Sequence, residues 1–356
     1  MKMKWLVPLA LVLLLVVSAC GSKPENNTSG GNNGSTGTEN SGSETPTDSK
    51  KYKVSISQIV EHPSLDATRE GFLAALKDAG FVEGDNLTVD FNTAQGDMTN
   101  NSSIASKIAG AKADLALGIA TPSAQALVQA YDKAGNKSPV LFAAVTDPLD
   151  AKLVSNLDAP GGNITGASDT NPDAIVQLMD FIAANFPDVK KVGIVINKGE
   201  PNAVVMTANA KQALAKHNIE LIEAPVTNTS EVKQAGESLI GKVDAMFITL
   251  DNVVVSGVES LLQLAKDNKI PFFSSDRDTV EKGAFATVGF KYYDHGYQVG
   301  QMAAEILKGK NPGEMKVTVP DKLDLILNLK AAAGMGITVT DAMKAGVKDP
   351  ANNIIE

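Results

Sequence analysis

From Tyr52 onward, short β-branched or apolar runs alternate with segments of helical pattern. This alternation constrains the fold more than any other feature of the chain. A strand that is followed each time by a helix pairs in parallel with its successor, and the helices cover both faces of the sheet. The candidate strands are 53–59, 87–92, 115–119, 140–144 and 164–167 in one series, and 192–196, 219–223, 245–249 and 271–274 in a second. Between them lie segments such as 65–79, where Leu65, Phe72, Leu73 and Leu76 share one helical face and Gly80 stands where a C-terminal glycine is expected.

The two series repeat. The run from Lys112 to Ile119 (KADLALGI) precedes a helix over 123–134 and a strand beginning at Pro139. The run from Lys242 to Thr249 (KVDAMFIT) precedes a helix over 254–267 and a strand at Ile270 and Pro271, an offset of 130 residues almost without gaps. A K-x-D before a buried strand is common, but strand, helix and strand in matched register is not. The reading is two doubly wound α/β domains of one design, with a single large α/β domain as the alternative. Length agrees, since 356 residues predict two folded domains, each large enough to bury a core. After the second half, 284–289, 317–319 and 325–329 are strand-like and 292–307 is helical.

The N-terminus gives an address. Lys2 and Lys4 precede a twelve-residue apolar run from Leu6 to Val17, too short to span a bilayer stably, which ends Val17-Ser18-Ala19-Cys20-Gly21. Small residues before a cysteine resemble a bacterial lipobox: residues 1–19 are then a signal peptide, and Cys20, the sole cysteine, carries the lipid. An ordinary secretory signal with an incidental cysteine is the alternative. Residues 21–50 contain no Val, Ile, Leu, Met or aromatic residue. They read as a disordered tether with an r.m.s. span of roughly 30 Å.

Composition excludes several functions. The net charge is −9, with no basic cluster, which suits nucleic acid poorly. One cysteine and three histidines leave no disulfide framework, and no histidine pair has zinc-helix spacing. There is no G-x-S-x-G, no P-loop and no G-x-G-x-x-G after a strand. No catalytic residue, metal or cofactor is therefore expected.

Polar residues at strand ends remain, where open α/β sheets bind ligands. The first half offers Gln58, Glu61 and His62 after the first strand, then Thr121-Pro122-Ser123 and Thr146-Asp147-Pro148. The second offers 197–202, including Asn202, then Asp251-Asn252 and Ser274-Ser275-Asp276. Under the repeat, Thr121 aligns with Asp251, and Asp147 with Asp276 after a one-residue slip. Hydroxyls at a helix N-terminus suit a carboxylate, and Asp251 and Asp276 suit an ammonium. The competing reading makes Thr121, Asp251 and Asp276 helix N-caps. His62 is either a ligand contact or the residue that orders the turn before Pro63. His217 reads as solvated, and His295 as opening a helix. Phe290, Tyr292, Tyr293 and Tyr297 form an aromatic cluster, suited to ligand stacking or to core packing.

Several runs carry a family resemblance: Val54 to Asp66 (VSISQIVEHPSLD) with Gly71-Phe72 and Leu76, Thr121 to Ala126 (TPSAQA), Val145 to Pro148 (VTDP), Gly161 to Gly166 (GGNITG), and Leu327 to Lys330 (LNLK). Together they resemble the ABC transporter substrate-binding proteins of the tryptophan/tyrosine-type family, over roughly Tyr52 to Thr340. The resemblance implies a type I periplasmic-binding-protein fold: two Rossmann-like lobes joined by a multi-strand hinge. The expected lobes are 51–165 with about 287–322, and 166–286 with about 323–356. It implies a monomer that binds a small ligand, expected to be an aromatic α-amino acid, and hands it to a permease and its ATPase. Anchoring through Cys20 places it on the outer face of the cytoplasmic membrane, in a Gram-positive envelope. The motif matches point to Gln58, Glu61, His62, Thr121, Ser123, Thr146 and Asp147 as first-lobe ligand residues. Asn202, Asp251, Asn252 and Asp276 follow from the repeat. The alternatives are another small ligand (a different amino acid, a nucleoside or a sugar), a sensory co-receptor, or a tethered hydrolase using His62 with Ser64.

Overall fold

The computed structural model describes residues 50–320 and 323–356. The expected signal peptide, Cys20 and nearly all of the expected tether lie outside the described residues. No helix among the described residues is long and apolar enough to cross a membrane.

The first half folds as expected from its alternation: β1 (Tyr52–Gln58), α1 (Pro63–Asp78), β2 (Leu87–Thr93), α2 (Met98–Gly110), β3 (Leu115–Ile119), α3 (Thr121–Ala134), β4 (Val140–Val145) and β5 (Ile164–Ser168). These strands form one all-parallel sheet in the order β2-β1-β3-β4-β5. β3 and β4 are buried along their whole length, as continuous apolar runs between two helical layers require.

The second half continues with α4 (Pro172–Asn185), β6 (Lys191–Asn197), α5 (Pro201–Ala215), β7 (Glu220–Val226), α6 (Val232–Leu239), β8 (Ala245–Ile248), α7 (Asn252–Ser256), α8 (Val258–Asn268), β9 (Phe272–Ser274), α9 (Arg277–Lys282) and β10 (Ala286–Gly289). Its strands pair as β7-β6-β8-β9-β10, the order of the first sheet. The repeated K-x-D has one job in both lobes. Asp114 Oδ2 accepts from Lys53 N at 2.7 Å, and Asp244 Oδ2 from Lys191 N at 2.8 Å, so each aspartate ties the head of its strand to the neighbouring strand.

The helix expected over 254–267 is two helices. Asp251 caps α7, which stops at Gly257, and α8 begins again at Val258. A side chain at Gly257 would press on Val232 and Thr229, so the break lets α6 pack close.

The remaining chain is α10 (Tyr292–Leu307), β11 (Asp324–Asn328), α11 (Leu329–Met335), α12 (Asp341–Ala345), α13 (Pro350–Asn353) and β12 (Ile354–Ile355). α10 returns to the first lobe and lies against α1. A methyl group at Gly296 would collide with the carbonyl of Thr68, and one at Gly71 with that of Tyr293, so the two helices meet backbone to backbone. The expected strand at 317–319 is a single bridge, Thr318 to Ala167 of the first sheet. β11 then joins the second sheet antiparallel to β10, and β12 extends its edge. The chain thus crosses between sheets three times: after β5, after β10, and between Thr318 and β11.

Candidate functional site

The carboxyl ends of both sheets face one another. A cavity between them is lined from the first lobe by His62, Ser64, Leu65, Ala144, Thr146 and Tyr292. The second lobe supplies Asn202, Leu250, Asn252, Val255 and Asp276, and the first crossing supplies Asp169. Its free volume is about 20 Å³, room for about one water molecule. A second cavity, also of about 20 Å³, shares Asp169 and Leu250 with it and is otherwise largely apolar, walled by Ile175, Leu178, Met206, Val288, Phe290 and Leu323. A larger open groove runs beside α13, where Arg277 bonds Glu281 and Asn353 and Asp324 holds the backbone of Lys348 and Asp349. The paired cavities stand at the facing strand ends, where open α/β sheets bind ligands, and are the candidate site.

The head cavity is a concentration of acceptors. Glu200, buried at the start of α5, accepts from Asn202 Nδ2 at 3.0 Å, Asn252 N at 3.1 Å, Asn252 Nδ2 at 2.5 Å and Val253 N at 3.1 Å. Burial nevertheless holds its carboxyl above the usual carboxylate range. Because Asn252 gives its amide nitrogen to Glu200, its Oδ1 faces His62 Nε2 at 3.3 Å. Nε2 therefore carries the proton, and Nδ1 is a bare acceptor with no partner among the described residues. Burial also lowers the His62 pKa, which keeps the ring neutral. Asn202 directs Nδ2 to Glu200 and to Leu250 O at 2.7 Å, leaving Oδ1 unpartnered and buried.

Two carboxylates complete this surface. Asp169 is 6% exposed and accepts from Tyr292 OH at 3.2 Å and Thr170 Oγ1 at 3.0 Å. Burial pushes its pKa up to about 6. Asp276 accepts from Ser64 Oγ at 3.1 Å across the cleft, from Ser274 Oγ at 2.9 Å, and from Thr279 N at 2.7 Å as the cap of α9. No lysine or arginine lines either cavity. Buried carboxylates without a cation, beside unpartnered neutral acceptors, suit an incoming ammonium. No cluster among the described residues has the geometry to hold a metal ion.

The backbone at the cleft is unusual on the first-lobe side. Ala144 has φ 53, where the β4–β5 register shifts between Phe142 and Val145. Its N–H donates to His295 Nε2 at 3.0 Å. Burial lowers the His295 pKa to about 4, so that ring stays neutral and accepts. His295 does sit in the first turn of α10, and His217 is exposed, as expected, and pairs with Asp180 Oδ1 at 2.6 Å.

The structure gathers His62, Thr146, Asn202, Asn252 and Asp276 of the expected residues around one cavity. The others stand elsewhere. Gln58 is enclosed behind β1, bonded to Val60 O, Asp66 and Arg69. Glu61 is exposed. Thr121 Oγ1 accepts weakly from Thr146 N at 3.4 Å. Ser123 turns away from the cleft and donates to Asn101 Oδ1 at 3.0 Å, joining α3 to α2. Asp147 closes its own turn through Leu149 N and Asp150 N. Asp251 is wholly buried and caps α7 through Val254 N at 3.1 Å, while holding Asn197 N at 2.5 Å. For Asp251 the capping reading describes the geometry; Asp276 both caps and faces the cleft. Nor do His62 and Ser64 form a nucleophile and base, since each is bonded across the cleft to a different partner.

Asp169 and Glu200 were missed. Glu200 lies inside the strand-end segment 197–202. Asp169 follows β5, which runs one residue past its apolar portion. Tyr292 was one of the clustered aromatics, and it contributes through its hydroxyl.

Two like-built α/β lobes whose strand ends face one another across paired cavities, with three crossings, define a type I periplasmic binding protein, which holds a solute between lobes. Residues 53–349 match the family described as ABC transporter substrate binding protein, and the chain belongs to that family. Its members bind solutes and are not enzymes. The chain is 42% identical over 283 residues to a protein of Clostridioides difficile named Tyrosine-binding protein, covering 79% of this chain and 80% of that one. It is similar to the structure of an ABC domain in complex with L-Trp from Streptococcus pneumonia, at TM-score 0.78 and 31% identity, over 86% of this chain and all of that one. A ligand-free, open substrate-binding protein with adhesive properties from Clostridium difficile is 37% identical, over 85% of this chain and 98% of that one, yet superposes with a TM-score of 0.61.

Proposed function

We propose that the chain is the lipid-anchored binding component of an ABC importer and takes an aromatic α-amino acid between its lobes. The observation that carries this reading is the pairing of a cavity rich in acceptors, with Asp169, Asp276, His62 Nδ1 and Asn202 Oδ1, to an adjoining apolar cavity. The first suits the α-ammonium and the second an aromatic ring. The named relative and the L-Trp complex support the same ligand class. The lobes then close on the ligand, and a permease with its ATPase reads the closed form. Cys20 carries the lipid, and the polar stretch that follows keeps the folded body near the outer face of the cytoplasmic membrane in a Gram-positive envelope.

The test uses a peculiarity of composition. The single tryptophan, Trp5, precedes Cys20, so residues 20–356 contain none. Titrating that chain, with Cys20→Ser, into free tryptophan reads the ligand alone. Saturable emission change, with competition by tyrosine, is expected. Ligand at 100 times Kd should add about 2.7 kcal/mol to unfolding stability. No stabilisation by any aromatic amino acid would end the ligand assignment. Mass spectrometry of the membrane-extracted protein should show a diacylglyceryl adduct on Cys20, and Cys20→Ala should release the protein into the medium.

A further inference from the structure

Among the residues that line the apolar cavity, one polar atom is left unsatisfied. Ser275 directly follows β9, and its N–H donates to Ile248 O at 3.0 Å. Its side chain lines the cavity beside Ile175, Leu178, Met206 and Val288. Its Oγ is withdrawn from solvent and has no partner among the described residues.

Thr249 Oγ1, beside Ile248, is also buried without a partner but does not line the cavity, and three other nearby hydroxyls are committed. Ser274 Oγ donates to Asp276 Oδ2 at 2.9 Å, Thr170 Oγ1 to Asp169 Oδ1 at 3.0 Å, and Ser64 Oγ to Asp276 Oδ1 at 3.1 Å. A buried hydroxyl without a partner is unfavourable, and an alanine would line an apolar wall without that penalty. The cavity therefore offers a polar contact at a place that a purely hydrocarbon ring cannot use.

We infer that Ser275 is the ring-end specificity residue: its hydroxyl meets a hydrogen-bond donor borne on the ligand's ring, so the site selects a hydroxyphenyl or indole side chain over a bare phenyl. This rests on the aromatic amino-acid reading above. The direction of the ligand follows from the walls. The unpartnered acceptors His62 Nδ1 and Asn202 Oδ1 hold the ammonium in the head cavity, which adjoins the apolar cavity at Asp169 and Leu250. The ring then projects toward Ser275. Sites built to hydrogen-bond a substituent discriminate sharply against the analogue that lacks it, because their own polar group is left unpaired.

The experiment compares tyrosine, tryptophan, phenylalanine and 4-fluorophenylalanine on the tetherless wild-type body and on Ser275→Ala, by calorimetric titration. Wild type should bind tyrosine about tenfold or more tighter than phenylalanine and 4-fluorophenylalanine, the worth of one buried hydrogen bond. Ser275→Ala should bring tyrosine and phenylalanine within about twofold of each other, by weakening tyrosine and leaving phenylalanine as tight or tighter. A merely structural role would weaken all four ligands together. Equal binding of phenylalanine and tyrosine by wild type overturns the inference, as does a uniform loss or no loss in the variant. The wild-type series needs no variant to fold. If none of the four binds wild type, the aromatic reading itself has failed and this inference fails with it; if they bind without discrimination, only the inference has failed.

Discussion

The two lobes were built to one plan and differ where they meet. Asp114 and Asp244, at equivalent places in the repeat, anchor the same strand heads with the same bonds. At the opposite ends of the strands the equivalence breaks. Thr121 opens an unbroken fourteen-residue helix, whereas its counterpart Asp251 caps a five-residue one that stops at Gly257. Both residues hold backbone at strand ends, and neither lines the head cavity. The first lobe presents imidazole, hydroxyl and phenol groups to the cleft. The second presents Asp276 with the amides that Glu200 orders, and Asp169 belongs to the crossing. The comparison teaches that a duplicated scaffold keeps its anchoring residues in register, while the residues that line the cavity stand where the copies diverge or where the chain leaves one copy for the other.

This contrast can be broken most directly at Asp169. Asp169→Asn keeps the shape and removes the charge, and should weaken tryptophan binding by about 100-fold, as loss of a charged hydrogen bond implies. The free protein should be no less stable, because burial already opposes the ionised form. Retained affinity would move the ammonium to Asp276. Asp251→Ala should do the reverse: it removes a cap and strands Asn197 N, at a cost of about 2 kcal/mol in a urea titration, and leaves affinity nearly unchanged. A large affinity loss there would restore Asp251 to the ligand set.

Acidity sharpens the same contrast. The Asp169 carboxyl gains its proton as pH falls through about 6, and an ammonium favours the ionised form. Binding should therefore be level above pH 7 and weaken by about tenfold per unit below the titration, until the pKa in the complex is reached. In Asp169→Asn this slope should vanish; a slope unchanged in the variant would assign it to another group. The smallest effect belongs to Ser123→Ala, which should cost about 1 kcal/mol through the lost bond to Asn101 and change no affinity.

The alternation of β-branched runs and helical segments made both sheets legible, because strand and helix periods are local properties. The break between α7 and α8 was not legible, since it depends on Val232 and Thr229, distant in sequence from Gly257. The site divided on the same line. His62, Asn252 and Asp276 are strand-end residues, found by the rule for open sheets. Asp251 obeys the same rule and the same capping pattern as Asp276, and only the tertiary fold separates them: one is covered by β6, and the other meets Ser64 from the facing lobe. Asp169 escaped because the bulge at Ala144 lets Ser168 pair with Val145, which carries the strand one residue further than its apolar pattern.

The position of Asp169 on a crossing has a mechanical consequence. A residue at a fulcrum moves little whichever way the arms swing, so a force applied there exerts little torque. On the proposed function, Asp169 would hold the ammonium whichever way the arms stand, and the ligand would settle before the arms move. The turning moment has to come from groups that approach one another only as the arms rotate, namely His62 toward Asn252 and Ser64 toward Asp276. Capture and shutting are thereby assigned to different residues, and a ligand that satisfies the first set while obstructing the second would be held without being presented.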